Sequence, residues 1–263
     1  MIFNWINHPS FRRDEQLLAV LYELGIATRR QLAIVSGWSE QKIEWSFKRI
    51  RKWGRDKEEK DEWLRCYRLS LAQNRIGAYT LGRRGLQYVA NMMGDDKPRR
   101  RPLGKGQIAH SLGVNEILCR LLLAGVPREN ISWLSTLESV DFLAYVYEAR
   151  GLPFDARASI RPDARLIIEG KPFWLEFDNS TEGPRKLERK FHEYIETLYH
   201  EKTGWLDSAS VVWVTIDESR RTYLEKLWFA TRIRFLENRW PQMRFFTAGD
   251  EVDFLLSRDS VLI

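Results

Sequence analysis

The residues Phe173-Trp174-Leu175-Glu176-Phe177-Asp178 alternate strictly, with Phe173, Leu175 and Phe177 on one side and Trp174, Glu176 and Asp178 on the other. A second β-like run begins at Asp163 and ends at Ile168, so only Glu169-Gly170-Lys171-Pro172 separates the two. Two-residue hairpin loops are favoured, and Gly170 supplies the positive φ they need. A Glu169-Gly170 loop places Asp163 opposite Glu176, whereas a Gly170-Lys171 loop places it opposite Asp178. Either loop gathers three carboxylates on one face; a three-residue loop would not. Like charges this close repel unless a proton or a cation intervenes, which points to a divalent metal. The plainer reading is a set of ion pairs with neighbours such as Arg165, Lys186 or Arg189.

The elements that must position this face read as α/β. A helix is expected from about Gln107 to Leu123, with Glu116 inside it, and a strand around Ile131 to Leu137. Residues 141–158 fit helix or strand equally. A long helix from Pro184 to about His200 packs on the sheet through Leu187, Phe191, Ile195 and Leu198. Lys190 lies about 60° from Leu187 on the helical wheel, at the margin of that apolar face. A buried strand (Ser210 to Ile216), a helix (Ser219 to Asn238), a short strand (Met243 to Thr247) and a last helix (Glu251 to Leu256) follow. Trp174, Trp205, Trp213 and Trp228 fall at core spacing.

The first half has another pattern. Leu17, Leu18, Leu21 and Leu24 form a helical stripe that stops at Gly25, and Thr28 caps a short helix closed by Gly37. Ser39 then caps a third helix, from about Glu40 to Trp53. After a charged loop, Gly54 to Glu62, come two β-like runs, Leu64 to Leu71 and Ile76 to Leu81, joined by a turn at 72–75. A helix from Arg84 to Met93 completes the segment. Three helices followed by a hairpin is the order of a winged helix-turn-helix. On the third helix Ile43, Phe47 and Ile50 face inward, while Gln41, Trp45, Lys48, Arg49 and Lys52 face outward. Three cations, an amide and an aromatic suit a helix that reads duplex DNA. Arg68, Arg75, Arg83 and Arg84 in the wing region are placed to clamp flanking phosphates. Arg99, Arg100 and Arg101, in a helix-breaking linker, either track phosphates or form a soluble hinge.

Several short motifs resemble the replication-relaxation proteins of plasmids and other mobile elements. They are Arg161-Pro162-Asp163-Ala164, Trp174-Leu175-Glu176-Phe177-Asp178, Thr181-Glu182, and a helix carrying Lys190 and Tyr194. His110-Ser111-Leu112-Gly113-Val114-Asn115-Glu116 and the N-terminal winged helix fit the same pattern, and the resemblance runs from about residue 14 to 255. It implies a second domain with the restriction-endonuclease fold of PD-(D/E)XK enzymes, in which Asp163 and Glu176 hold Mg²⁺ (or Mn²⁺). It also implies a further acid at Glu116 and a role in plasmid replication and relaxation of plasmid DNA. The sequence departs from the nuclease motif at one position, where Asp178 stands in place of the expected lysine. Lys190, from the following helix, is the candidate to replace it, which would permit metal-assisted phosphodiester hydrolysis. Without that replacement the fold is degenerate and no cofactor is needed.

The expected organisation is therefore α+β / α/β, with a winged helix at 10–95, a basic linker at 96–106 and a nuclease-like domain at 107–263. Charge follows the same division. Residues 1–106 hold 22 Lys/Arg against 12 Asp/Glu, while the remainder holds 20 against 24. A polyanion meets the first half first. Cys66 and Cys119 form no disulfide or zinc pattern, and no apolar run is long enough for a membrane or a signal peptide, so a cytoplasmic protein is expected. Double-stranded DNA is the expected partner, with replication or relaxation proteins and a second copy of the chain as further candidates. The alternative class is a non-enzymatic regulator or replication initiator that uses a degenerate nuclease fold for docking or dimerisation. An assembly factor that touches no DNA is a third.

Overall fold

The computed structural model describes residues 2–71, 74–100, 103–200, 204–205, 209–235 and 240–257. The chain divides into two compact units, 1–129 and 130–263. The division falls beyond the linker expected at 96–106, because the long helix expected to open the second domain packs within the first.

In the first unit, α1 (Arg13–Leu24) buries its leucine stripe and stops at Gly25, whose φ of 73° suits glycine. β1 (Ile26–Thr28) leads into α2 (Arg29–Ser36). The Thr28 hydroxyl accepts from the Gln31 amide, and the Gln31 side chain accepts from the Thr28 amide, both at 3.1 Å. This reciprocal cap satisfies two otherwise unpaired donors. α3 (Glu40–Arg51) starts from Ser39 and buries Ile43, Phe47 and Ile50 as its spacing requires. It ends at Arg51, two residues before the expected Trp53.

The loop expected at 54–62 is largely helical. α4 (Lys57–Trp63) is capped by the Asp56 carboxylate, which accepts from the Glu59 amide at 2.9 Å. It buries no residue, so no apolar period announces it. β2 (Leu64–Leu71) and β3 (Asn74–Leu81) pair antiparallel, with β1 added alongside in the order β1-β3-β2. Of the expected turn, Asn74 and Arg75 belong to β3, while Ala72 and Gln73 lie outside the described residues. α5 (Arg83–Met92) follows.

α6 (Ile108–Leu123) completes the unit. Asn115 donates to the carbonyls of Ile26 (2.5 Å) and Leu24 (3.3 Å), and Gln31 donates to the Leu112 carbonyl at 2.9 Å. These bonds satisfy backbone acceptors at the α1–β1 junction, and they place the 110–116 motif in this unit.

The second unit contains β4 (Ile131–Ser135), α7 (Thr136–Ala149), β5 (Ala164–Ile168), β6 (Lys171–Asp178), α8 (Pro184–Leu198) and the short β7 (Tyr199–His200) and β8 (Gly204–Trp205). β9 (Ser210–Thr215), α9 (Glu218–Arg232), β10 (Met243–Thr247) and α10 (Glu251–Leu256) complete it. The stretch at 141–158, open between helix and strand, is helical to Ala149. α7 begins where Ser135 and Glu138 form a capping box, which also shortens β4 relative to the expected strand. α9 ends at Arg232, and 236–239 lie outside the described residues.

The five-stranded sheet runs β10-β9-β6-β5-β4, antiparallel from β4 to β6 and parallel from β6 to β10. β6 is therefore its central strand. α8, which opens with Pro184 at its first turn, and α9 cover one face. There Phe191 makes edge-on contacts with Trp213 (5.1 Å), Trp228 (5.4 Å) and Phe245 (6.2 Å), each worth about 1 kcal/mol beyond area burial. Trp174, Trp213 and Trp228 are core residues, while the Trp205 side chain lies outside what is described.

Candidate functional site

The β5–β6 turn is Glu169-Gly170, both with positive φ (49° and 82°), and Ala164 partners Leu175. This is the first of the two loops the sequence allows, and it sets Asp163 against Glu176. The Asp163 amide donates to the Leu175 carbonyl at 3.0 Å, and its carboxylate accepts from the Phe177 amide at 2.8 Å.

Glu176 is 0% exposed. Its Oε2 accepts from Lys190 Nζ and its Oε1 from the Tyr194 hydroxyl, both at 2.6 Å. Lys190 and Tyr194 are four residues apart on α8, so one helical turn supplies both donors to the same carboxylate. The Lys190 side chain keeps 21% exposure and its ammonium lies 5.1 Å from the Trp213 ring. Burial pushes the Glu176 carboxyl up to about 8; Lys190 pulls the other way and the nearby Asp163 charge adds to the rise. Burial disfavours the Lys190 ammonium, but the Glu176 and Asp163 carboxylates outweigh it and raise Lys190 above its ordinary value. Tyr194 is raised by burial and by the same carboxylates. Asp163, Glu176, Lys190 and Tyr194 are thus one electrostatic group.

Asp178 is engaged separately. Arg220, near the start of α9, donates to both of its oxygens, through Nε to Oδ2 and through Nη2 to Oδ1 at 3.2 Å. The Ser180 amide also donates to Oδ1 at 3.0 Å. Arg220 further donates to the Glu182 carbonyl at 2.8 Å, locking the β6–α8 connection. The charge partners of Glu176 and Asp178 are therefore Lys190 and Arg220 rather than the sequence neighbours. Arg165 lies over the Phe142 ring (3.8 Å) and Trp174 (5.1 Å), Lys186 pairs with Glu182 at 2.5 Å, and Arg189 pairs with Glu193 at 3.5 Å. Sequence reasoning misses Arg220, which lies 42 residues from Asp178 with no spacing to link them. Tyr194 is visible in the motif, but its bond to Glu176 is not.

Hard divalent cations take oxygen ligands with open lone pairs. Here a cation would have to displace Lys190 or Tyr194 to reach Glu176. Among the described residues, no group of three His, Cys, Asp or Glu side chains is arranged to hold a metal. Asp163 and Glu176 as arranged do not offer a preformed site for Mg²⁺ or Mn²⁺. Glu116 lies in the first unit, where Arg30 (2.8 Å) and Gln31 (3.0 Å) donate to its carboxylate.

In the first unit Gln41, Trp45, Lys48, Arg49 and Lys52 are all exposed, Trp45 by 50%. Two of the cations have partners: Arg49 pairs with Asp14 at 2.6 Å, and Lys48 lies 4.0 Å from Glu44. Arg83 and Arg84 are exposed, with Arg84 3.9 Å from Glu59. Arg68 is exposed on β2; the Arg75 side chain lies outside what is described. Of the linker residues, Arg99 and Arg100 do not trail freely. The Arg99 amide donates to the Tyr22 hydroxyl at 3.0 Å, and Arg100 lies 3.9 Å from Glu23 and over the Tyr22 ring. Arg101 lies outside the described residues. No helix among the described residues is long and apolar enough to cross a membrane.

These features define a two-unit α+β protein, basic in its first unit and built in its second around a mixed sheet with a buried, ion-paired carboxylate. The chain belongs to the replication-relaxation family, whose model matches residues 18–206. The match covers more than half of each unit and ends before β9, short of the span 14–255 expected from motifs. Membership points to a role in the replication of plasmids or other mobile elements. No curated protein and no solved structure matches the chain.

Proposed function

We propose that the protein is a DNA-binding component of plasmid or mobile-element replication that holds duplex DNA through the outer face of α3. The observation that carries this reading is the set Gln41, Trp45, Lys48, Arg49 and Lys52, all exposed on the side of α3 opposite its buried Ile43, Phe47 and Ile50. The element order α1-β1-α2-α3-α4-β2-β3, a winged-helix order with the short α4 inserted between α3 and the hairpin, and the sheet order β1-β3-β2 support a winged helix presenting α3 to a major groove. The Lys48–Glu44 pair is exposed and worth at most about 1 kcal/mol, so a phosphate can replace it, whereas Arg49 is held by two bonds to Asp14 (2.8 and 2.6 Å) and meets a phosphate when that pair opens. In this reading the second unit serves for docking of a replication or relaxation protein, or of a second copy, and its buried acids are structural. Neutralising Lys48, Arg49 and Lys52 together should weaken duplex binding at least about tenfold at moderate salt, measured by fluorescence anisotropy. Unchanged affinity in a folded variant removes α3 from the interface.

One observation favours a second reading, a metal-dependent nuclease in the second unit. Lys190 Nζ lies 2.6 Å from Glu176, so a lysine adjoins the motif carboxylate although position 178 carries none. Supercoiled plasmid incubated with Mg²⁺ or Mn²⁺ decides between the readings. Nicking by the wild type that is lost in both Asp163→Ala and Glu176→Ala establishes the enzyme; no metal-dependent nicking leaves the structural role.

A further inference from the structure

The first unit contains a cleft of about 900 Å³ whose lining includes the cations Arg51, Lys57, Lys60 and Arg68 and a single acid, Asp61. None of the four cations forms an ion pair among the described residues, in contrast to Arg49 and Lys48 on the α3 face. Four cations gathered in a concavity with one acid and no ion pair among them repel one another, an arrangement an anion relieves. The floor is the β2–β3 hairpin, where Cys66 faces Tyr79 and Arg68 faces Gly77 across the strands. Gly77 keeps the floor open: a Cβ there would stand 3.2 Å from the Tyr79 hydroxyl and 3.4 Å from Cys66 Sγ. Tyr79 is fixed by Phe47, with ring centroids 4.2 Å apart.

We infer that this cleft binds a single strand of DNA, with Arg51, Lys57, Lys60 and Arg68 on its phosphates and Tyr79 against a base or sugar. A convex helix face suits the groove of a duplex, whereas a cationic concavity with an aromatic on its floor suits one strand that enters it. The site goes beyond duplex binding by α3 and uses none of the α3 face residues. A protein acting where a duplex is opened for replication would then hold both forms of the DNA.

The test uses the full chain and a fluorescent oligothymidylate. Arg51→Ala/Lys57→Ala/Lys60→Ala, which spares the wing residue Arg68, should weaken single-strand binding about tenfold or more and lower the steepness of its salt dependence by about 2. Duplex affinity should change by less than about twofold, and the Lys48, Arg49 and Lys52 variant should show the converse pattern. The outcome for the cleft is therefore separable from the outcome for α3. Cys66 supplies a readout in the unaltered protein, because it is exposed within the cleft whereas Cys119 is buried. Saturating oligothymidylate should slow its reaction with a maleimide several-fold. Single-strand affinity unchanged in the folded triple variant, or an unchanged Cys66 labelling rate at saturation, overturns the inference.

Discussion

A carboxylate without solvent contact needs a proton or a cation, and Glu176 has both within reach. The folded protein holds the Glu176 proton up to about pH 8, whereas an unfolded chain releases it near the ordinary 4.5. Between these values the folded state binds more protons, so stability falls as pH rises through that window. Denaturant melts from pH 4.5 to 8 should show this decline in the wild type and a flatter profile in Glu176→Gln. Lys190→Met leaves Glu176 buried without its cation and should cost about 3 kcal/mol near pH 8, less near pH 5 where the carboxyl keeps its proton. An equal cost at both values would contradict the assignment. Asp178→Lys, which restores the nuclease-motif lysine, sets a second cation against Arg220 and should destabilise the fold without creating nicking activity. Lys190 is legible in the sequence because helical spacing places it at the edge of an apolar stripe; Arg220 is not, because only the fold brings α9 to the end of β6.

The β5–β6 hairpin is the most legible element, since alternation fixes the faces and a short linker leaves few registers. Its turn carries two consecutive positive φ values, and a Cβ added at Gly170, where φ is 82°, would meet nothing within 4 Å. Gly170→Ala should therefore cost about 1 kcal/mol from backbone strain alone, read from the shift in thermal midpoint. α4 is illegible because it buries nothing, and its charges suit solvent in any conformation. α6 reads as a helix from its sequence but belongs to the other unit from the one expected. Its apolar surface marks burial without naming the partner, and the bonds from Asn115 and Gln31 that decide the matter join positions more than 80 residues apart.

Across the whole molecule the charge division survives the shift of boundary. Residues 1–129 carry 24 Lys/Arg against 14 Asp/Glu, an excess of ten, while 130–263 carry 18 against 22. A polyanion is therefore drawn to the first unit, and the second contributes little to its capture. Affinity for duplex DNA should fall steeply with salt, because each neutralised phosphate releases counterions. The most direct test of DNA binding through α3 is the salt dependence of duplex affinity for the wild type and for Lys48→Ala/Arg49→Ala/Lys52→Ala. With three phosphate contacts on this face, the slope of log affinity against log salt should become shallower by about 2.7 in the variant. Parallel lines for the two folded proteins would contradict the account.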